Sequence, residues 1–256
     1  LIIFEIVIVG PMALIPQIID LVLPPRCIVS GEIVDQQGMI SAEAWAGLNF
    51  IADPQCHRCG FPFDFDDGSI NEGNICLACS KSPPLFDKAR SALVYDDASR
   101  DIILGFKHGD QTESVPCFVP WLMQVGQSIV DRSDYIIPVP LHRFRLMKRR
   151  FNQAGLMAQY LSKASHISTM LDGLVRQRAT ETQGHLNSNE RKKNVKNAFA
   201  VNPKHKDFLK SKNILLIDDV YTTGATINEC TKVLLKAGVS SVNILTLARV
   251  VKPQRG

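Results

Sequence analysis

Residues 213–226, NILLIDDVYTTGAT, put an unbroken apolar run, two carboxylates and a hydroxyl-rich turn into fourteen consecutive positions. Ile214, Leu215, Leu216 and Ile217 suit a central parallel strand covered on both faces, because such a strand needs apolar side chains at every position. Asp218 and Asp219 follow at its carboxyl end, where open α/β sheets bind their ligands. The turn from Tyr221 to Thr226 contains Gly224, which permits a tight backbone path, and a helix is expected to begin near Thr226. Backbone N–H groups of such a turn, together with the helix amino terminus, can hold a dianionic phosphate. The hydroxyls of Thr222, Thr223 and Thr226 add further hydrogen bonds. Two adjacent acids repel a phosphate unless a neutral or cationic group lies between them, and a ribose diol fits that gap. An isolated Asp-Asp pair would read as an ordinary solvated turn. The strand before it and Thr-Thr-Gly-Ala-Thr after it favour a sugar-phosphate site instead.

Four of the seven cysteines form a second pattern. Cys56 and Cys59 are two residues apart, Cys76 and Cys79 likewise, and sixteen residues separate the pairs. That is zinc-site spacing, since each Cys-x-x-Cys turn lets two thiolates converge on one ion, and four thiolates make a closed, structural site. A redox dithiol would not need two matched pairs, and disulfides fit poorly with a chain that shows no secretion signal. Cys27 has three open roles: a vestigial ligand paired with Ser30 in place of cysteine, a buried thiol, or a replacement for one of the four. Cys117 and Cys230 read as core residues.

At 256 residues and 45% hydrophobic, the chain can bury one good core and carry a small satellite domain. Its charge is unevenly spread. Residues 1–134 hold 8 Lys+Arg against 18 Asp+Glu, and residues 135–256 hold 21 against 7. The carboxyl half is therefore suited to meet anions, either a polyphosphate or a nucleic acid, although part of that charge belongs to ordinary solvated faces. Residues 1–23 are apolar, but Glu5, Gln17, Asp20 and three Gly or Pro positions interrupt them. The expectation there is a short amphipathic helix over 13–23 and no stable membrane span, with the protein in the cytoplasm.

Between these features, alternation around 91–95 predicts a strand and residues 98–106 a helix. Lys107 after it serves either as a cation at the helix end or as a phosphate contact. Tyr135 to Val139 reads as a strand stopped by Pro140, followed by Arg143, Arg145, Lys148, Arg149 and Arg150, an anion-binding loop or a basic surface. A helix over about 152–163 comes next. Residues 176–198 show no core pattern and offer Arg178, Gln183, Arg191 and Asn194 to a substrate, as a closing loop or as a linker. A helix over 226–237, stopped by Gly238, and a strand over 241–250 complete the reading.

The segment 213–226 resembles the phosphoribosyl pyrophosphate motif of the type I phosphoribosyltransferases. The ordered set along the chain resembles the ComF family, to which GntX-like proteins also belong. That set comprises Pro-Pro-x-Cys, the two Cys-x-x-Cys pairs, Leu104 to Lys107, Val139-Pro140-Leu141, Arg149 to Gln153, Arg178 to Gln183, Arg191 with Asn194, Phe199, and Asp-Asp-Val-x-Thr-Thr-Gly-x-Thr. Arg150 stands where glycine is commoner in the family. The resemblance implies a type I phosphoribosyltransferase-like α/β domain over residues 86–256, with a parallel sheet flanked by helices. Before it, over residues 1–85, it implies an N-terminal helix and a small zinc module held by four cysteines. It implies that Asp218 and Asp219 hold the ribose hydroxyls. Val220, Tyr221, Thr222, Thr223, Gly224, Ala225 and Thr226 would form the substrate loop, with 222–226 on the 5-phosphate. Pro140, Leu141, His142 and Arg149 would face the pyrophosphate with Mg2+, and Arg178 and Arg191 would add substrate contacts. It further implies a role in natural competence, with single-stranded DNA and an ATP-driven helicase as partners. Two classes stay open: a phosphoribosyltransferase whose acceptor no residue marks, and a non-catalytic protein that keeps the fold to bind single-stranded DNA or a partner. Sparse aromatics in the basic half make any DNA affinity chiefly electrostatic.

Overall fold

The structure is a computed structural model and describes residues 24–36, 38–63, 74–108, 112–141, 151–178 and 188–251. The helix expected over 13–23, the basic run 143–150, His142 and Gln183 lie outside the described residues. No helix among the described residues is long and apolar enough to cross a membrane.

The centre is a four-stranded parallel sheet in the order β1-β6-β5-β2. Its strands are β1 (Lys88–Val94), β2 (Tyr135–Pro138), β5 (Asn213–Tyr221) and β6 (Ser241–Arg249). Strands β3 (Leu174–Arg176) and β4 (Phe199–Val201) form a separate antiparallel pair. Ile214, Leu215, Leu216 and Ile217 are fully buried, each contributing about 1.5–3 kcal/mol relative to exposure. The pleat sorts them. Ile214 and Leu216 face one core with Ile137, Val242 and Ile244, whereas Leu215 and Ile217 face a second core with Ile136, Leu245 and Leu247. Continuous hydrophobicity in the sequence therefore becomes two buried faces.

The second core is covered by three helices: α3 (Asp97–His108), α4 (Val115–Val130) and α5 (Gln153–Ser165). Helix α4 answers to no element expected from the sequence. Pro116 lies in its first turn, where a missing N–H costs nothing, and Pro120 forfeits one internal bond that the burial of Phe118, Trp121, Leu122 and Ile129 outweighs. The first core is covered by α7 (Ala225–Lys236), packed on α6 (Ser188–Val195), by the β3-β4 pair and by the cysteine module. The stretch 176–198, expected to lack core pattern, thus begins as a strand and ends in a helix that buries Val195. Two short helices, α1 (Ala42–Ala46) and α2 (Leu77–Lys81), lie in the amino-terminal part. Cys230 is fully buried, as expected, but Cys117 is only half-buried, its thiol donating to the Gly38 carbonyl.

Helix placement creates the crevice. After β2 the chain enters α5 on the second-core face, and after the neighbouring strand β5 it enters α7 on the opposite face. Adjacent strands whose following helices leave on opposite sides define a topological switch point, and ligands bind at the carboxyl ends of those strands.

Candidate functional site

Strand β5 runs four residues beyond its apolar core, so Asp218 and Asp219 lie within the strand, in the half-buried stretch that ends the ladder. Asp218 pairs in register with Thr246 on β6, and the Asp218 Oδ1 accepts the Asp219 N–H at 3.0 Å. The Asp219 Oδ1 accepts the Val220 N–H at 2.7 Å. Both carboxylates line a cleft of about 210 Å³. Beneath them, burial with Asp218 nearby pushes the Cys230 thiol well above its usual range, so it stays neutral.

Two helix amino termini open onto this cleft. Gly224, at φ 71°, caps α7, and Ala225, Thr226 and Ile227 of its first turn line the wall. Asn152 caps α5, and Gln153 and Ala154 line the facing wall. The Asn152 Nδ2 donates to the Val139 carbonyl at 3.1 Å and ties that helix start to the end of β2. First-turn N–H groups carry no internal partner and present partial positive charge, so an anion between two such termini meets donors from both sides. Thr222, Pro140 and Leu141 complete the lining, with Arg176 from β3. The Gln153 side chain is 2% exposed and its Nε2 has no hydrogen-bond partner among the described residues. A buried amide left in that condition costs about 1–3 kcal/mol unless a ligand accepts from it.

Other residues expected at the site sit elsewhere. The Tyr221 ring turns into the first core, edge-on to Phe86 at 6.2 Å, and burial pushes its hydroxyl above the usual phenol range. The Thr223 Oγ1 is buried behind the turn. Arg178 donates to the carbonyls of Asn194 and Lys196 at 2.8 and 3.0 Å, tying the end of β3 to the end of α6. Arg191 lies on α6 outside the cleft lining. His142 and Arg149 lie outside the described residues. Sequence reasoning did not assign Arg176, Asn152 and Gln153 to the site; the signal for the last two was their place in the family-like motif just after the basic run.

The four paired cysteines form a second centre. Their Sγ atoms all lie within 4.8 Å of one another, and the Cys59 and Cys76 sulfurs are 3.6 Å apart. Tetrahedral zinc with Zn–S bonds of about 2.3 Å requires sulfurs roughly 3.8 Å apart, so the cage has the right size. Four buried thiols this close cannot ionise together without a cation. Hydrogen bonding between them holds Cys56 down to about 4 and, with burial, pushes Cys59 up. Cys27 is separate and buried, and its Sγ accepts N–H bonds from Val29, Ser30 and Ser41 at 3.4, 3.4 and 3.2 Å. The Ser30 and Ser41 hydroxyls lie 3.1 Å apart beside it.

Residues 18–83 match the Double zinc ribbon domain. Cys56, Cys59, Cys76 and Cys79 fit one structural zinc, with all four positions filled by protein. The earlier part of the match offers one thiol and two serine hydroxyls, which is not a structural zinc set. Among solved structures, orotate phosphoribosyltransferase from Aeropyrum pernix matches at 21% identity and a TM-score of 0.34, covering 62% of this chain and 68% of that one. At that score the likeness adds nothing to the sheet and crevice already described. Competence protein ComFC of Bacillus subtilis is 29% identical over 214 residues, 79% of this chain and 80% of that protein. DNA utilization protein YhgH of Escherichia coli is 29% identical over 202 residues, covering 76% and 83%. Competence protein F of Haemophilus influenzae is 32% identical over 202 residues, 77% of this chain and 85% of that protein. Identity sustained over that much of both chains places this one in the competence protein F family, alongside ComFC and YhgH.

Proposed function

We propose that the cleft binds phosphoribosyl pyrophosphate, or a similar ribose phosphate, with Mg2+, and that the chain acts as a phosphoribosyltransferase in cytoplasmic DNA utilisation. The observation that carries this reading is the convergence of two helix amino termini and an acidic pair on one crevice at a switch point. Phosphate alone would call for the termini without the acids. A ribose bearing phosphates at two ends calls for both.

In this reading Asp218 and Asp219 accept hydrogen bonds from the ribose hydroxyls. The α7 amino terminus with the Thr222 and Thr226 hydroxyls holds the 5-phosphate. The α5 amino terminus, the Leu141 N–H and the Gln153 amide face the diphosphate. Mg2+ supplies neutralisation of the diphosphate and would draw on the same carboxylates, which offer the hard oxygen ligands it prefers. As the bond from the anomeric carbon to pyrophosphate breaks and the bond to an acceptor nucleophile forms, the chain contributes positioning and preorganised N–H dipoles. Single-stranded DNA and an ATP-driven helicase are the partners this setting suggests.

A purely nucleic-acid-binding role is less well supported. Of the aromatics in the basic half, Phe199 and Tyr221 are buried, Phe151 and Tyr160 pack against the second core, and Phe208 is exposed at 64%. Phe144 lies outside the described residues, and among the described ones a single exposed ring makes a poor stacking platform. The test is calorimetric titration with phosphoribosyl pyrophosphate and Mg2+, beside an Asp218→Asn, Asp219→Asn double variant. Saturable binding by the wild type that the variant loses supports the site. Absence of binding by the wild type overturns the reading.

A further inference from the structure

Arg249 ends β6 and is 4% exposed, yet no ion pair among the described residues involves it. Its guanidinium donates to the Cys59 carbonyl and stacks over the Phe61 and Tyr221 rings at 5.3 and 4.8 Å from their centroids. Its Nε is buried without a hydrogen-bond partner among the described residues. A buried cation lacking a carboxylate is costly unless another negative charge compensates it. The cysteine centre supplies one, since a divalent ion held by four thiolates carries a net charge of −2. Arg90, which donates to the Cys56 and His57 carbonyls at 3.5 and 3.3 Å, is a second cation on the same centre.

The other face of Arg249 leads to the cleft. Tyr221 is its register partner on β5, and the Val250 N–H donates to the Tyr221 carbonyl at 2.8 Å. The Tyr221 hydroxyl presses on the phosphate turn so closely that a Cβ added to Gly224 would lie 2.6 Å from it. Gly224 is the cap of α7. Consecutive contacts therefore join a zinc ligand's carbonyl, a buried guanidinium, a buried ring and the start of the anion-binding helix.

We propose that Arg249 is a positioning residue through which the metal state of the zinc centre sets the order of the turn 222–224, and so the anion affinity of the cleft. With zinc bound, the dianionic centre holds the guanidinium against Tyr221. When zinc leaves, the Cys56–Cys59 turn is no longer clamped, its Cys59 carbonyl releases the guanidinium, and Tyr221 loses the partner that fixes it behind Gly224. By reciprocity, an anion in the cleft tightens zinc by the same factor. The ligand arm of this proposal rests on the ribose-phosphate reading above; the turn-order arm does not.

The test compares wild type, Arg249→Met and Arg249→Lys, each zinc-loaded and after zinc removal by a chelator. Amide hydrogen exchange of residues 222–226 reads the turn, and calorimetry with phosphoribosyl pyrophosphate and Mg2+ reads the cleft. Fluorescence of Trp121, buried in the opposite core and read in a Trp45→Phe background because Trp45 lies 5.4 Å from it, checks that the sheet stays folded. Zinc removal is expected to speed exchange in the wild-type turn and weaken binding on the order of tenfold, about 1.4 kcal/mol of coupling. Zinc-loaded Arg249→Met should already show the faster exchange and respond little to zinc removal, while Arg249→Lys, which keeps the charge without the planar fork, falls between. Equal responses of wild type and Arg249→Met to zinc removal, or an undisturbed turn in zinc-loaded Arg249→Met, would overturn the coupling. Should the wild type bind no ribose phosphate at all, the exchange data still decide the coupling while the ligand assignment alone falls.

Discussion

Replacing Gly224 by alanine tests how the turn 222–224 is held, and two effects of different origin can be separated there. Gly224 has φ 71°, a region that costs a residue with a Cβ about 1–2 kcal/mol. The added Cβ would also lie 2.6 Å from the Tyr221 hydroxyl and 3.0 Å from its Cζ, closer than real Cβ contacts run. The ring cannot retreat easily, because Phe86 and Arg249 flank it. Overpacking of this kind costs about 1–3 kcal/mol more. Gly238 is the control: at φ 94° its nearest neighbour is the Lys210 Cγ at 3.5 Å, so Gly238→Ala bears the backbone cost alone. Urea denaturation should therefore place Gly224→Ala about 1–3 kcal/mol below Gly238→Ala. Tyr221→Phe removes the atom in closest conflict, so the double variant Gly224→Ala, Tyr221→Phe should be more stable than the sum of the singles by about 1 kcal/mol. Strict additivity, or equal losses for the two glycine variants, would refute the claim that the Tyr221 hydroxyl wedges the turn.

Metal analysis of purified protein should return one zinc per chain, because Ser30 and Ser41 stand beside Cys27 where a second thiolate set would be needed; two equivalents would show that the hydroxyl cluster binds metal. Burial opposes ionisation of Cys27, but hydrogen bonds from Ser30, Ser41 and Val29 outweigh it and lower its pKa from 9.0 to about 6. A thiol depressed on folding adds stability that is full above its unfolded value and lost as pH falls through the folded one. Wild type should thus gain stability over Cys27→Ser as pH rises from 6 to 9, and denaturation midpoints that stay parallel across that window would contradict the thiolate. Gly126 lets α4 approach β6, since a Cβ there would sit 2.9 Å from both Leu245 methyl carbons. Gly126→Ala should cost about 1–3 kcal/mol in urea denaturation with zinc content unchanged.

Strand β5, helix α7 and strand β6 were legible because each carries an uninterrupted physical signal: four apolar residues, a 3.6-residue stripe ended by Gly238, and a second apolar run. The cysteine cage was legible from spacing alone. Helix α4 was not, since apolar residues dominate the stretch and Pro116 and Pro120 read as breakers until both are seen on its exposed face, with Gln124, Gln127 and Ser128. Three-residue strands such as β3 are too short to show alternation, and β3 is what brings Arg176 to the cleft. Tyr221 shows a different obstacle. Alternation carried on from Leu215 and Ile217 would send it to the second core, but the phase slips after Asp218. Val220 packs on the second core and Tyr221 on the first, which turns an expected substrate contact into a buttress.

Among the described residues, much of the basic surplus of residues 135–256 lies away from the cleft. Lys192, Lys193, Lys196, Lys204, Lys206 and Lys210 are exposed on α6 and on the segment before β5, while two acids stand in the cleft itself. Among the described residues, the groups that offer an anion short-range affinity there are fixed N–H dipoles and Arg176, within a partly desolvated crevice where salt screens little. The exposed lysines act at longer range, raising the encounter rate of anions, and that action fades as the screening length falls below about 8 Å. The two functional classes therefore separate by ionic strength. A ribose phosphate seated between α5 and α7 should bind more slowly in high salt but keep most of its affinity. A nucleic acid held by the lysine surface should lose affinity roughly a thousandfold or more between about 50 and 200 mM salt if about six phosphates are engaged. Affinity with a shallow salt slope beside a steep association-rate slope is the signature of the cleft, because only a site built from backbone dipoles divides its electrostatics in that way.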